Sequence, residues 1–111
     1  MYKVMVLITR KEGLSREDFL RHWLDDHPDY VRALTGVRRY RQSVAIEHRT
    51  PWPVDGVAEL WFDSIRDIAV GFDRSREEVT RLFAHEEDFI GEASWFIAEE
   101  HEVPLTPTGG V

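Results

Sequence analysis

Apolar residues occupy both alternating sets of positions over residues 2–9: Tyr2, Val4, Val6 and Ile8 on one, Met5 and Leu7 on the other. Such a strand is buried on both faces. The spacing then changes to steps of three and four through Phe19, Leu20, Trp23, Leu24, Tyr30, Val31 and Leu34, the stripe of an amphipathic helix. Ser15 suits the N-cap, Asp18 sits at the third helical position, and Leu14 with Phe19 has the spacing of a hydrophobic staple, so this helix begins at about Arg16. Pro28 cannot donate to the carbonyl of Leu24 and disfavours α geometry at His27. A kink or break is expected there, followed by a second short helical piece that a left-handed Gly36 ends.

Val37 to about His48 reads as a second strand, Arg49 to Asp55 as a loop with Pro51 and Pro53, and Val57 to Asp63 as a third strand. Ser64 opens a short helix with Ile65, Ile68, Ala69 and Phe72 inward. Ser75-Arg76-Glu77-Glu78 is a capping box for the next, with Val79, Leu82 and Phe83 inward. A last strand is expected over Ser94 to Val103, and residues 104–111 form a flexible or partner-contacting tail. The order strand-helix-strand, strand-helix-strand predicts one α+β domain over 1–103, a ferredoxin-like βαββαβ fold with a four-stranded antiparallel sheet.

In that fold the helices cover one face of the sheet and leave the other open, which should show as alternation. Instead, strand three offers Ala58, Leu60 and Phe62 against Val57 and Trp61, and strand four offers Phe96 and Ala98 against Trp95 and Ile97. An open face with two tryptophans would exceed the apolar patch of about 300–600 Å² that soluble monomers tolerate. A second copy of the chain is the economical cover, giving a homodimeric α+β barrel.

Composition narrows the partners. The 111 residues suit a single domain, and 14 Lys plus Arg against 21 Asp plus Glu give a net charge of -7, which argues against nucleic acid and anionic membrane surfaces. Arg38, Arg39 and Arg41 lie in an alternating segment that splits their charge between two faces. With no cysteine there are no disulfides, thiolate nucleophiles or thiolate metal sites. No apolar run approaches the ~20 residues of a membrane span, and a cytoplasmic protein is expected.

His27 lies on the apolar side of the first helix, four residues after Trp23, where an imidazole can act as acid or base or simply cap a carbonyl. Glu59 alternates with Val57 and Trp61 and so points to the barrel side; it is either functional or paired with Arg39 or Arg41. His85, Asp88 and Phe89 follow the last helix, where the chain returns across the pocket mouth. Trp61, Trp95, Tyr40 and Phe96 read as core and pocket wall, and Trp52 as a dimer contact or lid. The five histidines show no tight ligand spacing, so no metal is expected; His22 with Asp26 reads as an exposed pair.

Several stretches resemble a known family: VLITRKEGLS, FLRHWLDDHPDYVRAL with its W-x-x-x-H-P, GVRRY, DGVAELWFDS and FIAEEH. Together they are similar to the EthD family of the dimeric α+β barrel superfamily, over nearly the whole chain apart from the tail. The resemblance implies sheet-to-sheet dimerisation and small-molecule chemistry without an obligatory cofactor. It marks His27 as an active-site residue and places Glu59 and Trp61 on the pocket strand, whereas family members often carry an acidic residue where this chain has His85.

The first reading is therefore a cofactor-independent isomerase, dehydratase or cyclase acting on a small aromatic, lactone or polyketide-like substrate. His27 is its acid/base and Glu59 the partner of His27 or the substrate's polar anchor, with Trp23, Tyr40, Trp61, His85, Asp88 and Phe89 as substrate contacts. Alternatives are a haem-binding or cofactor-free monooxygenase and a non-catalytic dimeric binding protein for a hydrophobic small molecule.

Overall fold

A computed structural model describes residues 1–106; the tail expected over 104–111 thus lies largely outside the described residues. The elements are β1 (Tyr2–Arg10), α1 (Arg16–Leu20), a π-helical segment (Arg21–Asp26), α2 (His27–Arg32), β2 (Arg39–Val44), β3 (Gly56–Phe62), α3 (Ile65–Gly71), α4 (Glu77–Glu86) and β4 (Ile90–Glu99). The four strands form one antiparallel sheet in the order β2-β3-β1-β4. This is the expected ferredoxin-like arrangement.

The two-faced β1 is central because both its neighbours pair along its length. Val4 lies opposite Leu60 and Ile97, and Val6 opposite Ala58 and Trp95. The helix-side face of β1 and β3 meets Phe19, Trp23, Val31, Ile68, Val79, Leu82 and Phe89 in one core. Residues of the other parity, Lys3, Met5, Leu7, Val57, Glu59, Trp61, Phe96 and Ala98, face away from the helices. Trp95 shares the helix-side parity, so the open face carries one tryptophan and not two. β4 is an outer strand that meets the core through Ile90 at its start, while Trp95 further along stays 67% exposed.

Local chemistry explains the helices. Ser15 Oγ accepts the Asp18 N–H at 3.1 Å, and Ser64 Oγ accepts that of Asp67 at 3.0 Å. The chain accommodates Pro28 by widening the turn before it. The His27 N–H reaches back to the carbonyl of His22, and α2 restarts with Pro28 in its first turn, where no N–H is needed.

Four expectations are corrected. Gly36 is left-handed, at φ 88°, but α2 has already ended at Arg32, and Gly36 turns the chain toward β2. Ser75 does not cap α4: its N–H and hydroxyl both bind the Asp73 carboxylate, at 2.9 and 2.7 Å, and Arg76 takes the N-cap position. Ile65 and Ala69 face solvent while Ile68 and Gly71 are buried. β4 starts at Ile90 rather than Ser94, running past Gly91, whose Cβ would come within 2.8 Å of the Arg10 carbonyl oxygen.

Candidate active site

The widened turn delivers His27 to the first position of α2, packed against α4, with only 4% of its surface exposed. His85 meets it from the last turn of α4. Their Nδ1 atoms are 2.9 Å apart, and His27 Nε2 lies 3.4 Å from Glu86 Oε2. A bond between two ring nitrogens needs one donor and one acceptor, so the two imidazoles cannot both be cationic while it holds. With its Nδ1–H donated to His85 Nδ1, neutral His27 keeps the Nε2 lone pair free beside Glu86; once protonated there, it donates to both. Burial holds the His85 pKa below the ordinary histidine value, and the neighbouring His27 and His22 push it the same way.

Aromatic rings fix the pair. Tyr30 stacks on His85 with centroids 4.5 Å apart and planes 12° off parallel, and Phe89 sets its edge to His27 at 5.2 Å. His27 and Glu86 form the polar edge of a cleft between helices and sheet whose other walls include Trp23, Val31, Leu60 and Leu82. Its space is ≈ 370 Å³ counted out to the open mouth, of which ≈ 30 Å³ admits the centres of water molecules. Tyr40 also lines it, its hydroxyl buried and without a hydrogen-bond partner among the described residues. The adjacent Gln42 amide donates instead to the Trp23 carbonyl at 2.6 Å. Burial pushes the Tyr40 phenol pKa well above its usual value.

The expected site residues thus divide into two groups. His27, Trp23 and Tyr40 share the cleft, with His85 and Phe89 packed against His27. Asp88 is exposed; its N–H binds the His85 carbonyl at 3.0 Å, and its carboxylate tends to raise the His85 pKa. Glu59 and Trp61 lie on the opposite face of the sheet, because Ala58 and Leu60, which alternate with them, are the residues that line the cleft. Glu59 is therefore not the partner of His27 within the chain.

Nor is Glu59 paired with Arg39 or Arg41. Its carboxylate accepts from Lys3 Nζ at 2.7 Å, a bond that raises the Lys3 pKa, while the guanidinium carbons of Arg39 and Arg41 sit 4.8 and 5.9 Å from the Trp61 ring centre. Lys3 also reaches Glu100 at 3.3 Å, and that contact lowers the Glu100 pKa. Trp52 donates to the Ile46 carbonyl at 2.7 Å within its own loop. His22 and Asp26 are 3.9 Å apart but not an exposed pair: His22 is half-buried.

Sequence reasoning missed Glu86 beside His27 and Lys3 as the partner of Glu59. Glu86 sits in an acidic run, where one carboxylate cannot be told from the next. Lys3, though, is the one cation within the apolar run over residues 2–9, a signal that was present.

No helix among the described residues is long and apolar enough to cross a membrane. Among curated proteins, none matches the chain significantly. Solved structures do. An EthD family protein from Bacillus halodurans superposes with a TM-score of 0.76 at 17% identity, covering 91% of this chain and 99% of its own. HapK from Hahella chejuensis gives 0.72 at 11% identity, covering 96% and 99%. A dimeric ferredoxin-like protein of unknown function from Bacteroides fragilis gives 0.66 at 14%, covering 89% and 95%. The EthD domain model matches residues 11–93, which include the W-x-x-x-H-P turn, the DGVAELWFDS strand and α4, and the chain belongs to the EthD family.

Proposed function

We propose that this protein is an acid/base enzyme that moves a proton on a small, mostly apolar substrate of aromatic, lactone or polyketide-like type, with His27 as the proton-transferring group. Isomerisation, dehydration and cyclisation all begin with such a step, and a histidine can perform it without a cofactor. One observation carries the reading. A buried imidazole, flanked by Glu86 and His85, forms the polar edge of a cleft with apolar walls. Ligand sites have this composition, many apolar contacts and a few convergent polar groups.

The flanking groups suit the task. Glu86 stabilises the imidazolium that His27 becomes on taking a proton, and the Nδ1 bond to His85 orients the ring. Room is the other requirement. A benzene-sized ligand needs a cavity of about 150 Å³, so substrate must displace side chains from the inner cleft. Tyr40 lines the inner cleft with a hydroxyl that has no hydrogen-bond partner among the described residues and is free to meet the substrate. Glu59 and Lys3 organise the open face, which we propose packs on a second copy of the chain.

The test is hydrogen–deuterium exchange in D₂O, followed by NMR, on a panel of aryl ketones, enol lactones and aromatic β-dicarbonyl compounds. Wild-type protein is expected to catalyse exchange at the acidic carbon of at least one compound, and His27→Asn to slow it by about 100-fold or more. Undiminished exchange in the variant, or none with any compound in the wild type, overturns the proposal.

A further inference from the structure

We propose that His22, Asp26 and His85 form a binding site for a divalent transition metal ion such as Zn²⁺, separate from the cleft. One ligand atom from each of the three lies within 4.8 Å of the other two. Two imidazoles and a carboxylate are the donor types Zn²⁺ takes, and three protein ligands with water in the fourth position is an established arrangement for it. Tetrahedral ligand atoms stand about 3.3 Å apart at the usual Zn–N and Zn–O lengths. His22 Nδ1 and Asp26 Oδ2, now 3.9 Å apart, would close by about half an ångström, and a pair at the 4.8 Å limit of the cluster by about 1.5 Å.

A second observation points to a ligand. His22 Nδ1 is a buried ring nitrogen without a hydrogen-bond partner among the described residues. Such an atom is costly unless something occupies it. The ring is also held in place, stacked on Phe89 with planes 5° from parallel and 5.7 Å from the ring of His85. His85 has Nδ1 engaged at His27, which leaves Nε2 as its ligating nitrogen. Ligation through Nε2 selects the tautomer in which His85 donates its Nδ1–H to His27 Nδ1, as metal-bound histidines commonly donate their other N–H. Asp26 is exposed, so the ion reaches the site from solvent.

The inference does not depend on the proposed proton transfer, and its test reads binding alone. Metal-free full-length protein is titrated with Co²⁺, whose visible absorption reports coordination, and with Zn²⁺ by calorimetry. The expected result is one ion per chain. Asp26→Asn and His22→Gln, both at partly exposed positions that the core does not need, should each weaken binding by about tenfold or more. His48→Ala and His101→Ala should leave it unchanged. Absence of one-to-one binding, or wild-type affinity in both ligand variants, overturns the site, as does loss of binding in either control.

Discussion

A buried phenol oxygen without a partner is unusual enough to ask what it is for. Leaving such a group unsatisfied costs about 1–3 kcal/mol, and Tyr40 carries one at the cleft wall. If the hydroxyl serves substrate rather than fold, removing it should help the fold. Tyr40→Phe is expected to raise the unfolding free energy by about 1 kcal/mol, seen as a higher urea midpoint with an unchanged slope, while slowing the exchange reaction. A destabilised variant would mean that the hydroxyl has a structural partner. Parity along β3 was legible in the sequence, and it set Glu59 on the face of Val57 and Trp61, which here points away from the helices. The partner of Glu59 was not, because Lys3 lies 56 residues away and Arg39 and Arg41 offered nearer cations.

At the scale of elements, local chemistry was readable wherever a single residue dictates the backbone. Pro28 announced the break that places His27, and Ser15 and Ser64 cap as their spacing implies. Ser75 was misread because Asp73, two residues earlier, competes for its hydroxyl and N–H, a conflict the capping pattern does not display. The start of β4 was hidden because Gly91 and Glu92 lack strand character: Glu92 is held by pairing with Thr9, and Gly91 is the extra residue where the register with β1 shifts. Gly56, the first residue of β3, shows how tightly the elements meet around the cleft: a Cβ there would fall 2.4 Å from the Trp23 ring. Gly56→Ala should therefore cost about 1–3 kcal/mol, measurable by chemical denaturation. Because Trp23 must move, the variant should also shift indole fluorescence. A neutral effect on both would show that Trp23 is loosely held.

The whole molecule poses the question of what covers the sheet. Lys3, Arg39 and Arg41 gather around Trp61, which is only 3% exposed, so the open face is less greasy than its sequence suggests. What remains is a strip of Met5, Leu7 and Val57, half-buried, and the outer strand β4, where Trp95, Phe96 and Ile97 are 67, 50 and 40% exposed. Apolar side chains on both faces of an outer strand are a liability in a monomer. A second copy packed on the open face would cover Met5, Leu7, Val57 and Phe96. The protein is therefore expected to sediment at about twice its 13.0 kDa chain mass at micromolar concentration. Phe96 is outside the monomer core, so Phe96→Asp should fold, yet raise the dimer dissociation constant by about 30-fold or more. Far-UV circular dichroism checks the fold of the variant and sedimentation velocity reads the shift. A monomeric wild type, or a variant that dimerises equally well, would place the partner of this face elsewhere. The pairing argument was visible in the two-faced strands, whereas the meeting of His27 with His85, 58 residues apart, was not. Alternation reports which face a residue takes, but only the packed fold decides which residues of that face touch.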